Sequence, residues 1–598
     1  MIAAKSTLKG GEFLIADTPA ESVFIPEDLS EEQRMVAATC EEFLNREVMP
    51  RLKELDEAKS YQPMVDLLNK AGELGLLATS IPETYGGFGM NFNTSMLVTD
   101  KIGASGGFAV ALSAHTGIGT LPILYYGNEE QKAKYLPKLA TGEWKAAYCL
   151  TEPDSGSDAN SAKTKATLAP DGTHYLLNGQ KMWITNGGFA DIFIVFAKID
   201  QDKNLTAFIV EKDFGGITMN EPEHKLGIKS SDTRQIFFND TPVPLENQLY
   251  TREGGFKIAV NILNIGRIKL SAACVGGAKS VLAQAVTYAQ ERRQFNTAIA
   301  NFGAIQYKIG EMALKLFAAE SATYRAGQNI DDAIESLIAG GMPESEAKLK
   351  GVEQFAIECA ILKVHGSEVL DYVVDEGVQI YGGMGYSADA PMERAYRDSR
   401  INRIFEGTNE INRLLTVDMI LKRAMKGQLD IMAPAMAVGK EIMSIPDFGT
   451  DEEEGLFIKE KKVLKNLKKA ILLAAGAAVQ KFMMALDKEQ EIIMNLADML
   501  IEVYAAESAL LRVEKLIGVR GEAAVTVHRD AALVYLHEAV EKVAWAGRQA
   551  ITSFAEGDEL NVMLMGLKRF TKIDPINLKD ARRRVAQAAL EANGYPFN

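Results

Sequence analysis

Cysteine and histidine are scarce in this sequence, and their scarcity limits the kinds of site that it can form. Only four cysteines and six histidines occur in 598 residues. The cysteines lie far apart and form no Cys-x-x-Cys or Cys/His pattern, so we expect no zinc or other metal site. This composition fits a reducing compartment. The four positions are Cys40, Cys149, Cys274 and Cys359.

Positive charge is also in short supply. Lysine and arginine together number 65 against 80 aspartate and glutamate residues, which gives a net charge of -15. Such a chain repels a polyphosphate backbone, so we expect no nucleic acid partner. The amino terminus from Met1 to Asp17 contains neither an apolar core segment nor an arginine-rich amphipathic helix. We therefore expect a cytoplasmic protein without a secretory or organelle signal.

One long stretch, from Ile102 to Asn128, contains no charged side chain. Its length raises the question of a membrane span, but it also contains several glycines, Pro122 and His115, and such a segment would insert poorly into a bilayer. We therefore predict that this stretch forms buried helices around a pocket.

The hydrophobic pattern divides the chain into helical and β regions. Helical spacing of apolar residues dominates most of the chain, whereas short apolar runs separated by turn residues indicate strands near its middle. In that β region, Asp171-Gly172 and Asn178-Gly179 are both hairpin signals. The predicted fold is mostly α with one inserted β domain. Its parts are an N-terminal extension (1–30), a helical domain (31–145), a β domain (146–252), a helical bundle (253–425), a linker (426–454) and a further C-terminal helical domain (455–598).

Four segments contain residue types that suit a cofactor site. The first, 148–158, is a loop rich in hydroxyl groups, and the second, 181–188, places a tryptophan between a hairpin and a glycine turn. The third, 291–306, has two arginines at a helix end, and the fourth, 379–411, combines a glycine turn with a Glu-Gly-Thr sequence. Taken singly, each also fits an ordinary role as a surface loop, a core tryptophan, a solvated helix end or a helix N-cap.

Together and in this order, the four segments resemble the acyl-CoA dehydrogenase family over about residues 30 to 425. The long C-terminal helical region, with Asn301-Phe302-Gly303 and the segment from Phe405 to Asn409, resembles the very-long-chain branch. The resemblance implies an N-terminal helical domain, a middle β-barrel, a C-terminal helical bundle and an extra C-terminal helical domain. It also implies a homodimer that binds FAD.

The activity that the resemblance implies is the oxidation of a fatty acyl-CoA to trans-2-enoyl-CoA in fatty acid β-oxidation. Electrons would pass from FAD to an electron-transferring flavoprotein. An oxidase of the same fold and a non-catalytic scaffold or assembly protein are the alternatives. Small residues in the uncharged stretch favour a long acyl chain, although they also suit plain helix packing. These residues are Ala111, Ala114, Gly117 and Gly119.

The resemblance also assigns roles to individual residues. Glu406 falls where the family has its catalytic base, and Gly407 would lie beside the thioester. Asn264 and Arg267 fall where the family contacts the CoA nucleotide, and Ser157 falls near both substrate and cofactor. The residues assigned to the flavin side of the cofactor are Tyr148, Leu150, Thr151, Gly156, Ser157, Trp183 and Thr185. The residues through which a neighbouring subunit would hold the adenine half are Arg292, Gln306, Gln379, Gly382 and Gly383, with Gln294, Thr408 and Glu410 also assigned to the cofactor.

The C-terminal region contains a basic amphipathic helix. Five lysines alternate there with apolar residues, and an uncharged run that is too short to span a bilayer follows. Resemblance to the very-long-chain branch suggests peripheral membrane contact through the region 456–486, and packing of this helix on the dimer is an equally good interpretation. The lysines are Lys461, Lys462, Lys465, Lys468 and Lys469.

Overall fold

The computed structural model describes residues 8–442 and 455–597. Helices come first, a block of strands follows, and two further groups of helices complete the chain, so the predicted order is confirmed. The first helix begins at a capping box, in which Ser30 Oγ accepts from the Gln33 N–H at 3.2 Å while the Ser30 N–H donates to Gln33 Oε1 at 3.0 Å. The helices of this first part are α1 (Glu31–Phe43), α2 (Leu52–Glu57), α3 (Gln62–Glu73), α4 (Phe92–Ile102), α5 (Gly107–Ser113), α6 (Leu121–Tyr126) and α7 (Glu129–Thr141).

The strands form one mixed sheet, with the order β6-β7-β3-β2-β4-β5-β8 and with β1 paired to β4. Among the described residues the end strands β6 and β8 do not pair with each other. The strands are β1 (Ala146–Cys149), β2 (Lys165–Leu168), β3 (His174–Thr185), β4 (Ile192–Ile199), β5 (Thr206–Glu211), β6 (Ile217–Met219), β7 (Thr233–Pro244) and β8 (Gln248–Leu249).

Strand β4 joins the sheet to the helices, because it is buried on both faces. Ile192, Ile194 and Phe196 belong to the main hydrophobic core, whereas Phe193 and Val195 belong to the core of the β domain. A strand covered on both sides reads as a continuous apolar run, as this one does.

The hairpin predicted at Asp171-Gly172 is confirmed, because β2 and β3 pair antiparallel on either side of it. The hairpin predicted at Asn178-Gly179 is wrong, because both residues lie inside β3, where the register with β7 shifts. Gly179 has φ 154° there, and a Cβ on it would lie 2.5 Å from Thr164 Oγ1. The dipeptide therefore serves a β-bulge, which needs glycine for the same backbone freedom that a tight turn needs.

The second group of helices is built around α8 and α11, which pack against each other. Helix α8 is apolar on most of its circumference, as expected of a helix buried on several sides. It also packs against α4 of the first helical part and against α9. The members are α8 (Gly255–Glu291), α9 (Gly303–Ala339), α10 (Glu344–Gln354), α11 (Ala356–Tyr381), α12 (Pro391–Ser399) and α13 (Asn409–Met425), with the two short strands β9 (Arg293–Gln294) and β10 (Thr297–Ala298) between α8 and α9.

The last group of helices packs on α9 through α16, α17 and α19. Part of the predicted linker is helical, because α14 lies inside it and packs on α15 and α18, while residues 443–454 of that linker lie outside the described residues. The helices are α14 (Met432–Ile442), α15 (Ile458–Phe482), α16 (Gln490–Arg520), α17 (Thr526–Thr552), α18 (Gly557–Phe570) and α19 (Leu578–Glu591).

The N-terminal extension ties this last group to the bundle. The Gly11 N–H donates to Glu358 Oε1 of α11 at 2.7 Å. Arg512 of α16 is fully buried and pairs with Glu27 of the extension and with Glu320 of α9, each at 2.7 Å. The same guanidinium donates to the carbonyl oxygen of Phe597. Segments from both ends of the described chain therefore converge on one arginine.

The lysines of α15 contact carboxylates of the protein itself. Lys468 is buried and pairs with Glu507 of α16. The predicted amphipathic helix is therefore confirmed as a helix, and several of its lysines pair with carboxylates of the protein while Lys465 stays more than half exposed. The other recorded pairs are Lys459 with Asp574, Lys461 with Glu514, Lys465 with Asp17 and Lys469 with Glu441.

Three helical stretches in the described residues are long and apolar enough to cross a membrane, judged by length and composition alone. The most apolar windows of Gly107–Tyr126 and Gly255–Glu291 are 78% and 67% buried inside the protein, whereas that of Ile458–Lys488 is 39% buried. The first stretch lies within the uncharged segment, and its burial agrees with the prediction of buried helices.

Candidate active site

Glu406 occupies a strained turn in the segment that connects α12 to α13. Its φ is 58°, a value that residues with a side chain rarely adopt, and Gly407 follows with φ 82°. Thr408 then caps α13, because its Oγ1 accepts from the Ile411 N–H at 3.3 Å. Among the described residues, no backbone carbonyl accepts the Glu406 N–H. The turn thus leaves this amide available beside the carboxylate of the same residue.

The carboxylate of Glu406 is buried and faces an internal cavity. Burial raises its pKa to about 7, while the positive charges of Arg267 and Lys363 act in the opposite direction. Its Oε2 atom has no hydrogen-bond partner among the described residues. A group of this kind can take up a proton near neutral pH, and its free oxygen is where a proton donor would sit.

Helix α8 passes so close to Glu406 that only glycine fits at the contact. A Cβ on Gly266 would lie 2.8 Å from Oε2 of Glu406. The next residue, Arg267, donates from Nε to the Glu406 carbonyl oxygen at 3.3 Å and from Nη1 to Asn264 Oδ1 at 2.8 Å. Arg267 and Asn264 are both buried. Their contacts in the structure hold the catalytic turn, while their assignment to the CoA nucleotide stays a prediction.

Lys363 of α11 supports the same turn from the other side. Its Nζ donates to Asn409 Oδ1 at 2.7 Å, and Asn409 Nδ2 donates to Ser367 Oγ at 3.1 Å. The Lys363 side chain is fully buried, and burial lowers its pKa to about 8 while the charge of Glu406 raises it. A buried cation thus stands near the carboxylate and is fixed by a hydrogen-bonded asparagine of the Glu-Gly-Thr-Asn segment.

The cavity extends from Glu406 along one face of α8 and has a volume of about 210 Å³. Thr185 of β3, the segment 103–121 and residues of α11 and α12 complete its walls. Ala114 and Gly117 line it as predicted, whereas Ala111 and Gly119 pack elsewhere: a Cβ on Gly119 would meet Ala146 at 2.6 Å. The α8 residues in the wall are Ile262, Ile265, Gly266, Lys269, Leu270, Ala273, Cys274, Gly277, Ser280, Val281 and Gln284.

The residues assigned to the flavin side gather near Glu406. Burial raises the pKa of the Tyr148 hydroxyl well above its usual range, and the negative charge of Glu406 raises it further. Tyr148 therefore lies close enough to Glu406 for the two groups to interact. The Thr151 carbonyl accepts from the Met182 N–H at 2.9 Å, which places the 148–158 loop against the strand that carries Trp183 and Thr185. A buried pair, Lys181 with Glu152 at 2.7 Å, fastens the loop to this strand. Leu150 is buried beneath the loop, and Gly156 and Ser157 are exposed at its tip.

These residues suit a bound flavin. The Tyr148 hydroxyl is buried without a hydrogen-bond partner among the described residues. Trp183 has φ 60°, and its side chain is 52% exposed although large aromatic rings are usually covered. An orphaned hydroxyl near Glu406 and an uncovered aromatic ring on the strand that carries Thr185 are features that a planar heteroaromatic group would satisfy.

The residues assigned to the adenine half form a second cluster, far from the first. Arg292 follows Gly266 on α8 by 26 residues, which at about 1.5 Å per residue is ~39 Å. Tyr381 at the end of α11 stacks on Tyr288 near this end of α8, with ring centroids 4.0 Å apart. Arg292, Gln294, Gln379, Gly382 and Gly383 are exposed there, and Gln306 is half-buried. Thr408 and Glu410 lie instead at the Glu406 turn.

Two residues of the site carry no signal strong enough to be found from the sequence. Gly266 stands within an apolar helical run in which a glycine suggests only helix packing. Lys363 is a single lysine in an apolar stretch of α11, where an exposed lysine would look the same. Its unusual position next to Ile361, Leu362 and Val364 is the one available hint.

Comparison with known families covers nearly the whole architecture. Residues 30–143 match the family described as acyl-CoA dehydrogenase, N-terminal domain, and residues 147–241 match its middle domain. Residues 253–421 match acyl-CoA dehydrogenase, C-terminal domain, and residues 466–569 match a second family of that description.

Individual relatives agree with these matches. A "Probable acyl-CoA dehydrogenase" of Bacillus subtilis (strain 168) is 45% identical over 592 residues, covering 99% of both chains. The mitochondrial very long-chain specific acyl-CoA dehydrogenase of Homo sapiens is 44% identical over 351 residues, which is 57% of this chain and 51% of that one. A crystal structure of acyl-CoA dehydrogenase complexed with FAD from Bacillus anthracis has TM-score 0.95 and 46% identity, and the match covers 98% of this chain and 100% of that one. The chain therefore belongs to the acyl-CoA dehydrogenase family, and it is a flavin-dependent oxidoreductase that uses FAD.

Proposed function

We propose that this enzyme oxidises long-chain fatty acyl-CoA thioesters to trans-2-enoyl-CoA in fatty acid β-oxidation, with Glu406 as the base. The observation that carries the proposal is the placement of the Glu406 carboxylate at a long apolar cavity with one oxygen unpartnered. The residues assigned above to substrate and cofactor are part of the same proposal.

Glu406 would remove the α-proton of the acyl group. This proton is very weakly acidic, so the negative charge that develops on the thioester oxygen must be stabilised as it forms. The Glu406 N–H donates to no backbone carbonyl of the described residues, so this strained turn offers it as a donor to that oxygen. FAD, when bound, supplies the acceptor for the hydride that leaves the β-carbon.

The shape of the cavity supports a long acyl chain. Its α8 wall runs from near Gly266 to Gln284, which is 18 residues or ~27 Å at about 1.5 Å per residue. At roughly 1.2 Å per bond in an extended chain, this length suits a chain on the order of twenty bonds. Small residues such as Ala273 and Gly277 keep this wall open.

Anaerobic mixing of the FAD-loaded enzyme with acyl-CoA thioesters tests reaction and chain length together. Butyryl-, octanoyl- and palmitoyl-CoA are added in turn while the visible flavin band is followed. Fast bleaching with palmitoyl-CoA is the expected result, and Glu406→Gln should retain FAD without bleaching. Bleaching with butyryl-CoA alone would refute the long-chain assignment, and no bleaching with any thioester would favour the scaffold alternative.

The electron acceptor is proposed to be an electron-transferring flavoprotein. The family resemblance supports this choice, and an oxidase of the same fold is the competing possibility. Turnover in air with palmitoyl-CoA should then produce little hydrogen peroxide, while added electron-transferring flavoprotein should be reduced. Stoichiometric peroxide without a protein acceptor would identify an oxidase.

A homodimer is proposed because one chain holds the two halves of the assigned cofactor site too far apart. The two clusters are separated along α8 by ~39 Å, at about 1.5 Å per residue. Two large aromatic side chains next to the adenine cluster, Phe295 and Tyr386, are each 89% exposed in the single chain. Contact with a second copy would cover them, and sedimentation equilibrium of the holoenzyme measures that state directly.

Peripheral membrane contact through the region 456–486, by a protein located in the cytoplasm, is also proposed. The lysines of α15 no longer support it, because their recorded partners are carboxylates of the protein itself. What supports it is the exposure of Met483 and Met484, at 74% and 80%. Replacing both by glutamate should abolish flotation with phospholipid vesicles, whereas Met35→Glu on α1 should not. Equal flotation of all variants would remove this surface from the proposal.

A further inference from the structure

Lys269 belongs to the part of the cavity wall that lies near Glu406. It lies one helical turn beyond Gly266, which contacts Glu406, and one turn before Ala273. All three residues are on the face of α8 that lines the cavity. Among the described α8 residues of this wall, Lys269 is the only one with a charged side chain.

The Lys269 ammonium has no recorded partner in the part of the chain that the structure describes. Among the residues that the structure describes, no carboxylate lies within salt-bridge distance of its Nζ and no acceptor takes a hydrogen bond from it. Burial is the sole cause of the change in its pKa, which falls to about 8. Besides Glu406, the cavity wall contains the carboxylate of Asp398, which accepts instead from the Ile228 N–H and feels the charges of Arg394 and Arg397.

The other two lysines of α8 either pair with carboxylates or lie in solvent. Lys279, two turns and more beyond, pairs with Asp100 at 2.9 Å and with Glu320 at 2.6 Å. Lys257 is exposed to solvent, with its ammonium 5.7 Å from the Tyr250 ring centroid. Of these three lysines, Lys269 is the one that lines the cavity, and no anion among the described residues pairs with it.

The Lys269 side chain is partly accessible and lines the cavity, so an acyl chain that fills the cavity would cover this cation, and an unsubstituted chain would offer no ion pair or hydrogen bond to offset the lost hydration. A methionine of similar length would serve a purely alkyl substrate at lower cost. A carboxylate on the ligand would remove the penalty and form a charge-assisted hydrogen bond. A hydroxyl group would compensate the charge less well than an anion does.

We propose that Lys269 binds a carboxylate carried by the acyl chain at a distance from the thioester, so that ω-carboxyacyl-CoA thioesters are substrates. This inference rests on the proposed dehydrogenation at Glu406 and adds a substrate class to it. Lys269 follows Gly266, which contacts Glu406, by three residues on α8, so the carboxylate would lie about one helical turn along the wall from the reacting end of the ligand. Unsubstituted long chains still have the rest of the cavity, as far as Gln284.

The test compares two thioesters of equal length, octanoyl-CoA and octanedioyl-CoA, on the FAD-loaded enzyme. Anaerobic bleaching of the flavin gives the apparent affinity for each. Lys269→Met removes the charge at nearly constant volume, Lys269→Arg retains it, and Lys257→Met removes an exposed charge from the same helix as a control. Calorimetric titration of both thioesters into Glu406→Gln, with and without Lys269→Met, measures binding without turnover.

The expected result is specific to the dicarboxylic ligand. Lys269→Met should weaken octanedioyl-CoA about tenfold or more, as loss of a hydrogen bond to a charged group does, while octanoyl-CoA binds equally well or better. Lys269→Arg should restore much of the preference, and Lys257→Met should change neither ligand. Equal effects of Lys269→Met on both ligands would overturn the proposal, as would wild-type bleaching by octanoyl-CoA with none by dicarboxylyl-CoA of six to sixteen carbons. Failure of every thioester to bleach the flavin would instead overturn the dehydrogenase proposal, and this inference with it.

Discussion

Gly266 and Glu406 approach so closely that a methyl group on the glycine would stand 2.8 Å from the carboxylate oxygen Oε2. Glu406 can therefore occupy its position only because α8 has no side chain at residue 266. Two elements that are far apart in the chain meet at this contact, one through a missing side chain and the other through a strained backbone.

Gly266→Ala should displace the base and slow flavin reduction by palmitoyl-CoA. A shift of about 1 Å at a reacting group costs on the order of 10²-fold in rate. Stopped-flow bleaching measures the rate, and the flavin absorbance ratio checks that FAD is retained. Gly518→Ala on α16, where a Cβ meets nothing within 4 Å, is the matched control and should leave the rate unchanged. An unchanged rate for Gly266→Ala would show that the carboxylate acts from another position.

The rate of flavin reduction should rise with pH through about 7, the pKa to which burial raises Glu406. The base accepts a proton only when ionised, so below this pKa kcat/KM should fall about tenfold per pH unit. Measuring kcat/KM from pH 5.5 to 8.5 with palmitoyl-CoA gives the midpoint. A flat profile across this range would separate Glu406 from the rate-determining proton transfer.

Lys363→Met should move this midpoint to higher pH. The positive charge of Lys363 favours the ionised form of Glu406, so its removal raises the pKa of the carboxyl group. Lys363→Arg retains the charge and should restore much of the original profile. A midpoint that does not move, in a variant with normal FAD content, would limit Lys363 to a structural role through Asn409.

Two inactive variants should complement each other if the cofactor site is shared between subunits. Glu406→Gln removes the base of its own chain. Arg292→Glu changes the adenine cluster that its chain would supply to the site of the other subunit. Random pairing gives half heterodimers with one intact site of two, so co-expression should recover roughly a quarter of wild-type activity for a symmetric dimer. Glu406→Gln with Glu406→Ala is the control, because both changes affect the same cluster. No recovery in the first mixture would argue that each chain builds its own site.

Arg512→Met should lower the melting temperature of the holoenzyme, because Glu27 would lose its partner and Glu320 would lose one of its partners in a buried location. Removing one member of a buried pair typically costs about 3–5 kcal/mol, whereas an exposed pair contributes about 0–1 kcal/mol. Arg529→Met, which breaks an exposed pair with Glu522, is therefore the control. Equal melting temperatures for both variants would show that the convergence on Arg512 does not stabilise the fold.

Prediction from the sequence succeeded where the deciding contacts are local. The hairpin at Asp171-Gly172 follows from two apolar runs that flank a turn, and both are short-range features. The same reasoning failed at Asn178-Gly179, because the bulge there depends on Thr164 and on β7, which are neighbours only in the folded protein.

The site shows the same division. The Glu-Gly-Thr segment could be located because its residues resemble a family pattern, but nothing local reveals that α8 and α11 surround it. Lys269 and Lys363 each stand in an apolar helical run, a pattern that fits an exposed lysine with its stem on apolar surface as well as a buried one. Their partners, or lack of partners, are properties of the assembled bundle.

Helix α8 fixes the distance between the reacting end of the cavity and the residues assigned to the adenine half. One inserted residue between Arg267 and Arg292 would rotate everything downstream by about 100° and advance it by about 1.5 Å. Such a change would rotate the residues assigned to the adenine half relative to the Glu406 end of the cavity, although none of those residues would itself be altered. Homologous sequences should therefore differ in this stretch by substitution and not by length, which makes the spacing from Gly266 to Arg292 a means of aligning distant relatives.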